Sequence, residues 1–264
     1  MKFQIDHDLH IHSKLSSCSS HPLQTPENIL KYGIDNGLKT LCITDHHWDS
    51  SVEGMSAWYK KQGDVFSVLP LPQSEKCRFL FGCETDMDKN FRIGLSKDEM
   101  DKMDFFIVPT THLHMKGFTI AEENDNIEDK ISLYIKRFEA FLDADLPFEK
   151  VGLAHITCSL IHRDEPDGFI KVLDGVSDKA FETLFAGCAK RGCGVELNIG
   201  IGFLDGYKYL ENVLRPYRIA KAQGCKFYLG SDAHSPEGLD GARVRFEQMI
   251  DFLDLKEEDK FIIK

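Results

Sequence analysis

The 264-residue chain has no CxxC pair, no internal repeat and no low-complexity tract, and none of its apolar runs approaches the roughly 18 residues of a membrane span. Without a repeat or a linker, nothing divides the sequence. The reading is therefore one domain over 1–264, with an inserted excursion at about 48–77. Basic charge is also scarce: 32 Lys and Arg stand against 43 Asp and Glu, a formal net charge of −11. That balance counts against capture of long nucleic acid, which wants a basic face. It still admits an anionic small substrate, because the local charge at a metal cluster can oppose the global one. The polar start MKFQIDHDLH does not read as a signal peptide, so no membrane association is expected and the cytoplasm is the expected compartment.

The eight cysteines fit a reducing compartment. Several lie inside apolar segments such as LCIT and GCKFYL, where a free thiol behaves as a small hydrophobe. Cys18 differs, since it sits in a loop able to reach a metal site.

What the chain does have is one design repeated seven times: a short apolar run followed by a histidine or a carboxylate. The runs are DLHIHS, LCITDHH, FLFGCE, FFIVPTTHLH, VGLAHI, CGVELN and KFYLGSDAHS. Strands are predicted at about 3–12, 39–44, 78–84, 104–110, 150–154, 193–197 and 226–230. Helices are predicted at about 25–36, 127–142, 178–191, 208–223 and 237–253. The 48–77 segment reads as one helix followed by a loop, with Trp48, Trp58 and Tyr59 as a possible lid or a packed excursion. Alternation of strands with helices implies parallel strands and crossover units, hence an α/β barrel whose active site lies at the carboxyl ends of its strands.

Side-chain parity sorts these signals. In His10-Ile11-His12 alternate residues face the same way, so both imidazoles point inward and can grip one metal. Asp8 shares that parity and His7 does not. In Thr44-Asp45-His46-His47 the better ligand is His46, with His47 as a substitute and Asp45 as a support. Glu84 has two oxygens and can bridge two cations. His112 and His114 repeat the period-two spacing, so only one need bind, and His155 follows VGLA alone. Asp232 and His234 share a face after Gly230-Ser231, a pair suited to a tight exit near the site.

From about residue 6 to 236 this order of HxH, TDH, Glu, lone His, AH, ExN and GSDxH resembles the PHP superfamily, which includes histidinol-phosphate phosphatases and the PHP domains of bacterial polymerases. The resemblance implies a distorted seven-stranded, TIM-like (β/α) barrel carrying up to three divalent ions, zinc, manganese or iron. It implies that His10, His12, Glu84 and Asp232 hold the first, Glu84 with His112 and His155 the second, and His21, His46 and His234 the third. The SSCSS insertion makes the loop to His21 longer than the family's.

Three divalent ions against two carboxylates would leave a formal surplus of about four positive charges, which a phosphate monoester can meet. The expected reaction is hydrolysis of a small phosphomonoester, histidinol phosphate or a related compound, by a metal-activated hydroxide. Glu84, Asp232 and His234 are the candidate catalytic residues. Arg163, His162 and Asn198 are the candidate substrate-binding residues, Arg163 as a clamp for a phosphate or carboxylate. The alternatives are a nucleotide or oligonucleotide phosphodiesterase of the same fold and a metal-stabilised, non-catalytic module. No lysine stands at the strand ends to bridge metals as carbon–nitrogen hydrolases would want.

Overall fold

Seven short runs rich in β-branched and aromatic residues become strands: β1 His7–Ile11, β2 Thr40–Ile43, β3 Arg78–Glu84, β4 Phe105–Pro109, β5 Val151–Ala154, β6 Gly194–Leu197 and β7 Lys226–Leu229. The computed structural model describes residues 1–198 and 207–263. All six neighbouring pairs are parallel, in the order β1-β2-β3-β4-β5-β6-β7. The sheet then curls until its ends meet: Asp232 N–H donates to the His10 carbonyl (2.8 Å) and His12 N–H to the Ala233 carbonyl (3.0 Å). The result is a nearly closed, TIM-like barrel.

Helices fill the crossovers: α1 Pro26–Asp35, α2 Lys97–Met100, α3 Ile127–Asp143, α4 Gly168–Gly175, α5 Asp178–Arg191, α6 Leu210–Ala222 and α7 Pro236–Phe252. Their starts carry the expected chemistry. Thr25 caps α1 ahead of Pro26, Asn126 caps α3, Ser177 caps α5, and Ser235 caps α7 ahead of Pro236. Gly192 ends α5 in the left-handed conformation, at φ 83°. Among the described residues no helix is long and apolar enough to cross a membrane. All eight cysteines are free thiols.

Strand alternation divides the apolar side chains between two cores. Leu41 and Ile43, Phe79 and Phe81, and Phe106 and Val108 pack outward with the helices. The residues between them, Cys42, Leu80, Phe105 and Ile107, join Leu9, Ala154 and Tyr228 in a separate inner cluster, and Phe261 packs against it. Phe261 reaches that position because its N–H donates to the Phe227 carbonyl (2.8 Å). The inner cluster is the floor of the barrel.

Two expectations change. Strict alternation would put Asp8 on the face of His10 and His12, but the β1–β2 register shifts between Asp8 and Ile11. Leu9 and His10 therefore both face inward. Asp8 turns toward Tyr32 and Arg243 and accepts from Ser231 N–H (2.9 Å), tying β1 to β7. The 48–77 segment forms two 3-10 turns, Tyr59–Lys61 and Val65–Val68, in place of an α-helix. Gly63 and the prolines at 70 and 72 interrupt the run before a longer helix can propagate. Trp48 and Tyr59 of this segment pack with Phe118, while Trp58 lies edge-on to His46 with ring centroids 4.7 Å apart.

Candidate metal centre

The inward positions of the strands change character at their carboxyl ends. Leu80 is followed two and four residues on by Gly82 and Glu84, and Ala154 is followed by His155. His10, His12 and Glu84 are at most 1% exposed, and His112 and His155 are buried as well. Burying so many ionisable groups is unfavourable unless each has a partner.

Four ligand atoms converge at one point. His10 Nε2 and His12 Nε2 are 3.0 Å apart. His10 Nε2 lies 3.5 Å from Glu84 Oε2 and 3.3 Å from Asp232 Oδ1. His12 Nε2 lies 3.3 and 3.1 Å from the same two oxygens. Donors placed tetrahedrally about 2.1 Å from an ion lie roughly 3.4 Å from one another, so these four fit around a single cation. The other Glu84 oxygen, Oε1, faces a second group, 3.4 Å from His155 Nε2 and 3.9 Å from His112 Nε2. A third group brings His12, His46 and His234 within 4.8 Å.

Several of these atoms are buried without a hydrogen-bond partner: Glu84 Oε1, His46 Nδ1 and His112 Nε2. His46 Nδ1 is 3.0 Å from Glu84 Oε2 yet lacks hydrogen-bond geometry to it. Orphaned polar atoms that all face one small volume are what a cation would satisfy. The donor set, imidazoles with two carboxylates, suits zinc, manganese or iron.

A second set of residues holds the donors in place. Glu196 bonds His10 Nδ1 through Oε1 and the His155 N–H through Oε2 (3.0 Å). His112 Nδ1–H donates to Asp86 Oδ1 (2.9 Å), and the Tyr59 hydroxyl donates to Asp86 Oδ2 (2.9 Å). His12 Nδ1–H donates to Ser16 Oγ (2.9 Å), which donates on to Asp45 (2.6 Å). The bonds to His10, His112 and His12 occupy Nδ1 and leave Nε2 free for the centre. Asp45 thus braces the loop after β1 and is not a member of the metal groups, and His47 leaves the site to bond Glu99 (2.7 Å). Arg137 of α3 is fully buried and donates to the carbonyls of Met87 (2.8 Å), Asp88 (3.1 Å), Thr110 (2.8 Å) and Thr119 (2.7 Å), clamping the loops after β3 and β4.

Close approach at the mouth demands special backbone. His155 and Asp232 sit at φ 58° and 53°, a left-handed conformation costly for residues with a Cβ. A Cβ at Gly230 would meet Glu196 Oε1 at 2.2 Å and the His10 Cβ at 2.9 Å, so only glycine fits there.

The electrostatics are those of a site that wants positive charge. Burial alone would lower the pKa of His10, but the charges of Glu196 and Asp232 raise it well above the ordinary histidine range. His155 is pushed up to about 9 against its burial, by Glu196 and Glu84 above all. Burial would raise Glu84 and Asp232, yet their imidazole neighbours, His46 first for Glu84 and His10 first for Asp232, hold both low. His46 lies well below its usual value, chiefly through burial.

Of the nine expected ligands, the structure brings together His10, His12, His46, Glu84, His112, His155, Asp232 and His234. His21 is not gathered; its Nδ1 accepts from the Leu23 N–H (3.2 Å) at a partly exposed position. The longer loop explains this. Ser16 is anchored to Asp45 and the Ser19 hydroxyl to the His234 carbonyl (2.8 Å), which turns Cys18 inward and carries His21 past the site. Cys18 Sγ is 3.1 Å from His234 Nε2, and its thiol is pushed up to about 12 by burial and by the Glu84 and Asp232 charges. His12 takes part in the third group as well as the first.

The centre forms one wall of a cavity of about 670 Å³. Arg163 lines that cavity from an exposed position, whereas His162 and Asn198 do not line it. His162 is buried with Nδ1 beside Lys130 Nζ (3.2 Å), and Asn198 has its carbonyl bonded by the Tyr217 hydroxyl (3.2 Å). Asp86 and Glu196 were not assigned roles from sequence. The Asp86 signal was there, since Asp86 stands two residues beyond Glu84 in GCETD, at the same parity.

The model of the PHP domain family matches residues 8–200 of the chain. No curated protein matches it. Among solved structures, the chain is similar to a putative histidinol phosphatase from Listeria monocytogenes (18% identity, TM-score 0.60, covering 91% of this chain and 99% of that one). It is also similar to the histidinol phosphate phosphatase from Lactococcus lactis subsp. lactis in complex with zinc, L-histidinol and phosphate (15% identity, TM-score 0.54, 97% and 98%). At these identities the likeness is one of fold.

Proposed function

The chain belongs to the PHP domain family, and on that premise we propose that it is a metal-dependent phosphoesterase acting on a small phosphomonoester. The observation that carries the reading is Glu84. Its two oxygens face two different groups of imidazoles, and several of the atoms around it are buried without partners at the wall of an open cavity. The Lactococcus lactis protein with this fold holds zinc and phosphate, which supports the same class of ligand here.

The roles follow from the placements. His10, His12, Glu84 and Asp232 would hold one ion, Glu84, His112 and His155 a second, and His12, His46 and His234 a third. Divalent ions in such a site supply a more acidic water and positive charge to offset a phosphoryl group. Glu196 fixes the tautomer of His10, and Asp86 that of His112. Asp232, about a third exposed on its side chain, and His234 beside it reach the cavity and border the place where a leaving alkoxide would form. Trp58 and Phe118 line the cavity and exclude water from one side. Arg163 is the residue placed to grip an anionic part of the substrate. His162 and Asn198 stand outside the cavity lining, His162 beside Lys130 and the Asn198 backbone beside Tyr217.

The test is hydrolysis of a phosphomonoester panel, including histidinol phosphate and 4-nitrophenyl phosphate, by protein loaded in turn with manganese, zinc and iron. Turnover that disappears with chelator and returns with metal is expected. No turnover with any of the three metals sinks the reading.

A further inference from the structure

We propose that Cys18 is a ligand of the third ion, so that this position is a thiolate site of the zinc type, unlike the other two. This rests on the metal centre of the reading above and adds a donor to it. The third group is short of lone pairs. His12 Nδ1 is bound to Ser16, and His12 Nε2 lies 3.3 Å from Glu84 Oε2 and 3.1 Å from Asp232 Oδ1, among the donors of the first group. An imidazole protonated at Nδ1 keeps one lone pair, at Nε2, and one lone pair binds one ion. With His12 given to the first ion, the third is left with His46 and His234. Zinc sites take at least three protein donors. His21, expected to be one of them, bonds the Leu23 N–H instead.

Cys18 stands where the missing donor is needed. His234 Nδ1–H donates to the Asp232 carbonyl (2.8 Å), which leaves the Nε2 lone pair facing Cys18 Sγ, 3.1 Å away. Nitrogen and sulfur donors placed tetrahedrally around one zinc lie roughly 3.5 Å apart, so the pair has to open only slightly to take an ion between them. The loop that carries Cys18 is tied to both remaining histidines. Ser16 Oγ accepts from the His46 N–H (3.1 Å), and the Ser19 hydroxyl donates to the His234 carbonyl (2.8 Å). Between these anchors the Ser17 N–H donates to Gln62 Oε1 (2.7 Å). His46 gives an independent sign of a ligand: its ring is more than nine-tenths buried, and Nδ1 has no hydrogen-bond partner. Cys18, His46 and His234 line the same cavity, and Cys18 is the one cysteine of the eight that lines it and is exposed. As the sulfur–metal bond forms, the S–H bond breaks and its proton passes to water, with no change of oxidation state. A thiolate among the donors favours zinc, whereas carboxylates suit manganese.

Cobalt(II) is the probe, because a thiolate ligand gives a sulfur-to-cobalt charge-transfer band in the near ultraviolet and imidazole and carboxylate ligands do not. The full chain is stripped with chelator under reducing conditions, reloaded with cobalt and followed by absorbance. The band is expected in the wild-type protein and in His21→Ala, and its loss is expected in Cys18→Ser. In a competition titration against a chelator, Cys18→Ser should also weaken the most loosely held zinc by at least about ten- to a hundredfold. A second measurement needs no variant. Iodoacetamide should alkylate Cys18 in the stripped protein, and zinc should block that labelling, read by peptide mass mapping. Bound cobalt without the band, a band that survives Cys18→Ser, or Cys18 labelling that is equal with and without zinc overturns Cys18 as a ligand and leaves the rest of the centre standing. A wild-type protein that retains no cobalt overturns the centre and the Cys18 ligand together. Should the band be present while no phosphomonoester is hydrolysed, the phosphoesterase reading fails by itself.

Discussion

The floor and the mouth of the barrel are made by the same strands and obey opposite rules. At the floor, Leu9, Cys42, Leu80, Phe105, Ile107, Ala154 and Tyr228 fill the interior and Phe261 packs against them. At the mouth, one or two steps further along the same strands, the interior positions are His10, Glu84, His155 and Glu196. The floor is held by packing, so removing atoms there should cost stability. The mouth is a set of buried charges held in place by a surrounding frame, and removing a member should cost metal first. A buried polar cluster is tolerated because the apolar floor and the outer helical core carry the fold.

Breaking a mouth residue should give the largest effect. Glu84→Ala removes the oxygens shared by two groups, and turnover is expected to fall by more than about a thousandfold, with elemental analysis showing lost metal. A variant that keeps its full metal content would put Glu84 outside the centre. At the floor, Phe105→Ala should lower unfolding free energy by about 3–5 kcal/mol, read by chemical denaturation, while the metal content of the folded protein is unchanged. A floor substitution that released metal would dissolve the distinction between the two ends.

A frame residue should fall between these extremes. Glu196→Gln keeps the shape but weakens the hold on His10 and His155, and metal affinity is expected to drop about ten- to a hundredfold in a competition titration against a chelator. An unchanged affinity would show that the packing alone orients His10. The smallest effect belongs to the polar rim below the floor. There, burial would raise the Asp6 pKa, but His7 and Lys260 outweigh it and lower it from 3.8 to about 2. Because the folded value lies below the unfolded one, the stabilisation is present above pH 3.8 and is lost as pH falls toward 2. The partly exposed side chain limits it to about 1 kcal/mol. Asp6→Asn should therefore lose that amount near neutral pH and match the wild type in acid, measured by thermal denaturation across pH.

Much of this was legible from local pattern. The seven strands and the five long helices follow from apolar periodicity. Of the nine ligands expected from the sequence, the eight that the structure gathers stand at or just beyond the ends of apolar runs, where a local pattern can be read. What escaped was set by events that parity cannot register. A single register shift turned Asp8 away from His10. The anchoring of Ser16 and Ser19 placed Cys18, rather than His21, against His234. The α4 helix, Gly168–Gly175, and the 3-10 turns after β2 were missed because short helices have too few turns to show a period.

By itself, then, the sequence determined the kind of fold and the chemical type of the site. Strand-end donors and alternating cores are local properties, written into neighbouring residues by the period of two. The tertiary structure alone decided which carboxylates frame the centre, since Glu196 meets His10 across 186 positions of the chain. It also decided that Arg137 ties the loops after β3 and β4 together, and that Lys116 and Arg163 share one cavity with the centre. Such contacts depend on how the barrel closes, and closure is a property of the whole sheet rather than of any one segment.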